Sequence, residues 1–256
     1  MRQTINAGLA VLVLSLGLAT PVAAGPSEDA GAAYNRGDYA TALRLWLPLA
    51  VQGDVFAQFA LGFMYDKGRG VPSDGVEAVR WYRKAAEQGD AEAQASLGNM
   101  YAAGRGVPQD YAQAVRWYRK AAEQGNAEAQ ASLGNSYATG RGVPQDYAEE
   151  IKWTRRAAEQ GNACAQLSLS MSYQTGRGVP QDFVHAHMWA NLAAAQPESA
   201  VSRIATVARD TLAAKMTPAQ IAEAQRLARE WKPKSEQRRV SPLRKNGDGR
   251  SSAGQS

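Results

Sequence analysis

Residues 89–124 read GDAEAQASLGNMYAAGRGVPQDYAQAVRWYRKAAEQ, and residues 125–160 read GNAEAQASLGNSYATGRGVPQDYAEEIKWTRRAAEQ. The two stretches are identical at 27 of 36 positions. Residues 53–88 and 161–196 fit the same frame, the last with a divergent second half. A fixed period of this length is the signature of a solenoid, in which one supersecondary unit buries its apolar face against copies of itself.

The spacing within each copy predicts two helices. Asp54, Asp90, Asn126 and Asn162 are residue types that cap the start of the first helix. Leu97 and Tyr101 then recur four apart, as do Leu133 and Tyr137, which places each pair on one helical face. Gly98 and Gly134 fall inside that helix, where glycine costs about 1 kcal/mol against alanine. A cost repeated from copy to copy implies a close approach of backbones; the fourth copy carries Ser170, still small. A Gly-Arg-Gly-Val-Pro loop follows at 68–72, 104–108, 140–144 and 176–180, with glycine to end a helix and proline to prevent its continuation. Asp110 with Gln113, and Asp146 with Glu149, have the spacing of capping boxes that open the second helix. Tyr111, Val115, Tyr118 and Ala122 give that helix one apolar stripe. Gly89, Gly125 and Gly161 close it, and the next N-cap follows at once, so neighbouring helices must run antiparallel.

The ends differ from the middle. Residues 25–52 read as a shortened unit, with a turn at Asn35-Arg36-Gly37-Asp38 and Pro48 expected to kink its second helix. Residues 197–232 are expected to form two capping helices, one beginning at Pro197 and one at Thr217-Pro218-Ala219-Gln220, where N-cap, first-turn proline and capping-box glutamine coincide. Residues 1–24 have the form of a signal peptide: Arg2, an apolar stretch from Ala7 to Ala19 too short to span a bilayer comfortably, then Val22-Ala23-Ala24 before a cleavage expected at Gly25. An uncleaved anchor is the alternative. The expected destination is the periplasm or the exterior. From residue 233 the composition turns to Lys, Arg, Ser, Gly and Pro, and 233–256 is expected to be a disordered basic tail.

Composition narrows the chemistry. Among 256 residues there is one cysteine, so no internal disulfide framework and no multi-cysteine metal site exists. The two histidines, His185 and His187, stand about 200° apart around a helix and cannot share one metal there. The formal charge of +5 resides in residues 232–256, which hold seven basic and two acidic residues. The rest of the chain is balanced, which argues against a nucleic-acid face. The tail is instead a candidate contact for anionic envelope components.

The motif LGxxYxxGRGVPQDYxxAxxWYRKAAEQG resembles the Sel1-like repeat family, longer-looped relatives of the tetratricopeptide repeat, over roughly residues 27–196. MTPAQIAEAQRLAREW, at 216–231, is similar to the C-terminal end of exported bacterial members. The resemblance implies an all-α, right-handed solenoid of antiparallel helix pairs. It also implies a scaffold that binds a protein or peptide, in cell-envelope regulation or host interaction, without a cofactor. Some exported relatives with a cysteine pair in each repeat are credited with β-lactam hydrolysis. Here the repeats hold only Cys164, so a hydrolase of β-lactams or cell-wall material is the alternative rather than the expectation. Ser96 and Ser132 have no histidine in their repeats and read as small packing residues.

In tetratricopeptide proteins, ligands lie on the concave wall formed by the first helices. With Leu61, Leu97, Leu133 and Leu169 as anchors, three positions per unit are expected to point inward. They are Phe56, Phe59 and Phe63; Glu92, Ala95 and Asn99; Glu128, Ala131 and Asn135; and Cys164, Leu167 and Met171. The phenylalanines suggest an apolar anchor site, Leu167 and Met171 a second, and Asn99 and Asn135 hydrogen-bonding groups between them. Burial of the phenylalanines under the N-terminal unit, and of Leu167 and Met171 under the C-terminal cap, is the competing reading. Cys164 is a candidate for an intermolecular disulfide or an inert thiol.

Overall fold

The structure, a computed structural model, describes residues 25–233. The expected signal peptide, and the tail from residue 234 onward, lie outside them. Twelve helices and no strand occur among the described residues. The shortened unit is α1 (Pro26–Asn35) and α2 (Tyr39–Val51). Four pairs follow: α3 (Val55–Lys67) and α4 (Gly75–Glu87), α5 (Ala91–Ala103) and α6 (Tyr111–Glu123), α7 (Ala127–Thr139) and α8 (Tyr147–Glu159), and α9 (Ala163–Thr175) and α10 (Phe183–Ala194). The end is closed by α11 (Ala200–Ala213) and α12 (Pro218–Glu230), both packed on α10.

Local chemistry sets the helix starts. The side chains of Asp54, Asp90, Asn126 and Asn162 each accept a backbone N–H three residues on, at 2.7, 2.6, 2.8 and 2.9 Å. Asp110 and Asp146 do the same for α6 and α8. The reciprocal half of the boxes expected at Gln113 and Glu149 does not form. The Glu149 carboxylate instead takes the Lys152 ammonium at 2.8 Å and the Trp153 indole N–H at 3.0 Å. Full boxes close at Ser199/Ser202 and Thr217/Gln220. The first of these starts α11 at Ala200, so Pro197 lies before the helix rather than in it. Helix α2 runs on through Pro48 without ending.

Two devices lock a pair together and onto its neighbours. A Cβ on Gly62 or Gly98 would stand 2.6 Å from the ring of Tyr82 or Tyr118, so the second helix presses its ring onto bare backbone of the first. Gly134 meets Thr154 in the same way. The second device is a buried amide. Gln58, Gln94, Gln130 and Gln166 donate to the carbonyls of Ala50, Ala86, Ala122 and Ala158, in the last turn of the preceding unit's second helix, at 3.0, 3.0, 3.0 and 3.3 Å. The first three accept in turn from Gln88, Gln124 and Gln160 of their own unit at 2.7, 2.8 and 2.8 Å. Outside the core, Arg83, Arg119 and Arg155 donate to the hydroxyls of Tyr101, Tyr137 and Tyr173 in the next unit.

The interfaces between units are not equally filled. Between the first and second full units, Met100 packs into the core beside Ala78. Between the third and fourth, the equivalent positions are Ser172 and Glu150. Glu150 is 2% exposed; its Oε1 accepts from Ser172 Oγ at 3.3 Å and faces an Arg177 nitrogen at 3.6 Å, while Oε2 has no partner among the described residues. Burial pushes the Glu150 carboxyl up from its ordinary value, and Arg177 and Ser172 only partly hold it down.

Gly98→Ala should lower stability by about 1–3 kcal/mol, because the added methyl meets the Tyr118 ring. Ser170→Ala, which removes a buried hydroxyl with no partner among the described residues, should be neutral or stabilising. Denaturant midpoints of the two variants separate these outcomes. Because the folded state holds the Glu150 proton more tightly than the unfolded chain, this group makes stability fall as pH rises above about 4.5. Glu150→Gln should flatten that fall in midpoints taken from pH 4 to 8; an unchanged slope would show that the group does not titrate in this window.

Candidate functional site

The first helices stand side by side along one wall, where α5 touches α7 directly as well as its own partner α6. The three phenylalanines of α3 have three different surroundings. Phe59 joins the core shared by α4 and α5, its ring 5.9 Å from that of Tyr82. Phe63 is half-buried, edge-on to Tyr34 of α1 at 6.4 Å and covered by the Arg69 guanidinium. Phe56 meets only the edge of Trp46 at 6.0 Å and stays 55% exposed. The N-terminal unit therefore covers part of this face and leaves Phe56 open; Leu47 and Val51 of α2 are exposed as well. At the other end of the wall Leu167 is half-buried and Met171 is 50% exposed, so the C-terminal helices leave Met171 open.

Between these ends the wall is polar and largely self-satisfied. Asn99 accepts from the Tyr118 hydroxyl at 2.8 Å and donates to Glu128 Oε1 at 2.8 Å. Asn126 donates to Glu92 Oε1 at 2.9 Å. Partial burial, with Glu128 and Asp90 nearby, raises the Glu92 carboxyl above its usual value. Burial pushes the Tyr118 hydroxyl up to about 12, so it stays a proton donor to Asn99. The matching partners of Asn135 are Thr154 and Cys164 instead of a tyrosine and a glutamate. Among the described residues no side-chain hydrogen bond ties Asn135 down, and the residue is exposed. Cys164 is exposed and free.

A pocket of about 400 Å³ opens between α5, α6 and α7, beside Asn99 and Asn135. Its walls include Ser132, Ser136, Tyr118 and Arg141, with Ala102, Ala114 and Tyr111 supplying apolar surface. It is hard to see in the sequence because it is made by what one position lacks. The signal was nonetheless present: where the preceding unit has Met100, this one has Ser136. A second pocket of about 400 Å³ lies between α10, α11 and α12, where buried His187 has no partner for Nδ1 among the described residues. Desolvation and Arg209 lower the pKa of His187. His185 lies 2.6 Å from Asp182 and stacks on Tyr173 at 5.3 Å, so the two histidines occupy separate settings. Among the described residues no group of three or more His, Cys, Asp or Glu is placed to hold a metal ion, and no helix is long and apolar enough to cross a membrane.

The Sel1 repeat model matches four consecutive stretches, residues 55–90, 91–126, 127–162 and 163–197. A protective antigen present in uropathogenic Escherichia coli strains, displaying an SLR fold, is 34% identical with a TM-score of 0.70. The match covers 84% of this chain and 46% of the antigen, so the chain spans about half that relative's length. A Sel1 repeat protein from Oxalobacter formigenes is 30% identical with a TM-score of 0.64, over 78% of this chain and 84% of that one. No curated protein matches the chain. Four repeats in unbroken succession, on an all-α solenoid whose solved neighbours carry the same repeat, place this chain in the Sel1 repeat family.

Proposed function

We propose that the chain is an exported scaffold that binds a protein or peptide along the inner wall of its solenoid, in cell-envelope regulation or in contact with a host. One observation carries this reading: the inner-wall positions that end the polar ladder, Phe56 and Met171, expose half or more of their surface. Large apolar side chains left open beside a wall whose polar groups already bond one another mark a place for company. Asn135 lies between them with its amide unengaged. The likeness to a protective antigen supports a location that an immune system reaches, and the form of residues 1–24 supports export. In the same reading the basic tail, residues 233–256, touches anionic envelope components.

A photoreactive residue in place of Asn135 should crosslink a partner in living cells, and Phe56→Asp should lower that yield with little change in melting. Phe59→Asp should instead cost several kcal/mol, since the half-buried Phe59 ring packs against the core and the Tyr82 ring. Loss of stability in Phe56→Asp equal to that in Phe59→Asp, or no crosslink from position 135, would remove the scaffold reading. Recovery of the chain from the periplasm or medium with Gly25 as its first residue tests export.

A further inference from the structure

The three interfaces between full units are built on one frame, and that frame supplies its own template for a ligand. At the interface between the third and fourth units, a carboxylate is inserted beside a serine and a loop arginine: Glu150 Oε1 faces Ser172 Oγ at 3.3 Å and Arg177 at 3.6 Å. One period of 36 residues earlier stand Ser136 and Arg141, with Ala114 in the place of Glu150. The serine and the arginine are kept, and the carboxylate is missing. At the remaining interface the volume is filled by Met100 beside Ala78, and the loop arginine there, Arg105, pairs with Asp66 at 2.6 Å. The position matching Asp66 in the next unit is Ala102. Arg141 thus has neither carboxylate. It lies over the ring of Tyr111 at 5.4 Å and forms no ion pair among the described residues. The Ser136 hydroxyl turns back onto the Ser132 carbonyl at 2.9 Å.

We propose that the pocket between α5, α6 and α7 binds a carboxylate-bearing residue of an extended peptide, held by Arg141 and Ser136 as Glu150 is held by Arg177 and Ser172. This deepens the inner-wall reading and rests on it. The pocket volume of about 400 Å³ suits a side chain or chain end rather than a bare ion. Ala102, Ala114 and Tyr111 line it against the carbon stem, and its lining holds two arginines and no acidic residue. Asn135 at the rim is free to bond the peptide backbone. A charge-assisted bond to a guanidinium is the strong kind, and its geometry suits a planar carboxylate.

The probes are acetyl-AAEAA-amide, its Gln counterpart, and acetyl-AAAAA with a free C-terminus, titrated against the chain with the Arg141 side-chain and Ser136 amide signals followed by nuclear magnetic resonance. Saturable shifts are expected with the Glu peptide, the free C-terminus or both, which identifies the source of the carboxylate; the Gln peptide should be at least tenfold weaker. Arg141→Gln should weaken binding tenfold or more. Ser136→Met installs the residue found in the first two full units, so it should keep the helical spectrum while closing the pocket to all three peptides. Ala114→Glu should occupy the site from within and also remove binding. Equal binding of the Glu and Gln peptides, undiminished binding in Ser136→Met, or shifts produced by inorganic phosphate and by no carboxylate would overturn the proposal. If a partner crosslinks at Asn135 while these peptides fail, only the pocket assignment falls. If the peptides bind and nothing crosslinks, the scaffold reading falls.

Discussion

The stack depends on a buried amide at a fixed place in each repeat. The last four carbonyls of a helix lack partners within it, and in this fold the end of each second helix is covered by the next unit. Gln58, Gln94, Gln130 and Gln166 reach one such carbonyl each from the following first helix. Each of these carbonyls also accepts a backbone N–H, from Gly53, Gly89, Gly125 and Gly161 at 3.2, 3.1, 3.0 and 2.9 Å, so an apolar residue there would remove one hydrogen bond, worth about 0.5–1.5 kcal/mol net, rather than leave the acceptor unpaired. The bond is directional, which fixes how far each unit rotates and slides on the one before it. Apolar packing alone would tolerate a range of offsets. The amide also joins the first helix to its own partner through Gln88, Gln124 and Gln160, so one side chain ties three helices.

The ladder stops where the repeat stops. Gln196 occupies the frame position of Gln160, yet α10 ends at Ala194 with Ala195 as its cap, one residue earlier than the frame. The Gln166 oxygen accordingly has no partner among the described residues. The helices that follow serve a different purpose: α11 and α12 pack on α10, and Trp231 meets Trp189 edge-on at 6.2 Å. A polar registration device gives way to aromatic burial once no further unit has to be placed.

Much of this was legible in the sequence because the signals are local or repeated. The Asp and Asn caps, the short Gly turns and the cost of Gly98 inside a helix each point to a structure that forms within one unit. The fate of the phenylalanines was not legible. Whether Phe63 or Phe56 stays open depends on where Tyr34 and Trp46 sit, and those belong to an incomplete unit whose angle no repeat dictates. The reciprocal capping at Glu149 failed for a related reason: the carboxylate found Lys152 and Trp153, one helical turn away. Pro48 lies inside α2, which continues past it to Val51. The repeat frame puts Asn99 on one face of its helix, but its saturation by Tyr118 and Glu128 depends on the spacing between helices.

A repeat carries its own control experiment, since the same position is built several times in nearly the same surroundings. Residues kept in each unit, such as the buried glutamines, answer to stacking. Residues that change answer to something else, and the changes cluster. Met100 becomes Ser136, Tyr118 becomes Thr154, and Ala114 becomes Glu150, all within the middle of the stack and all on sides facing the inner wall or the next interface. Each change disturbs packing that the neighbouring unit shows to be attainable: a methionine that fills, a tyrosine that bonds an asparagine, an alanine that avoids a buried charge. Stability alone would favour the better-packed version in each unit. The first two departures open the space beside Arg141 and free Asn135, and Ala102 in the place of Asp66 leaves that arginine without the carboxylate that Arg105 has, three consequences that converge on one stretch of one surface.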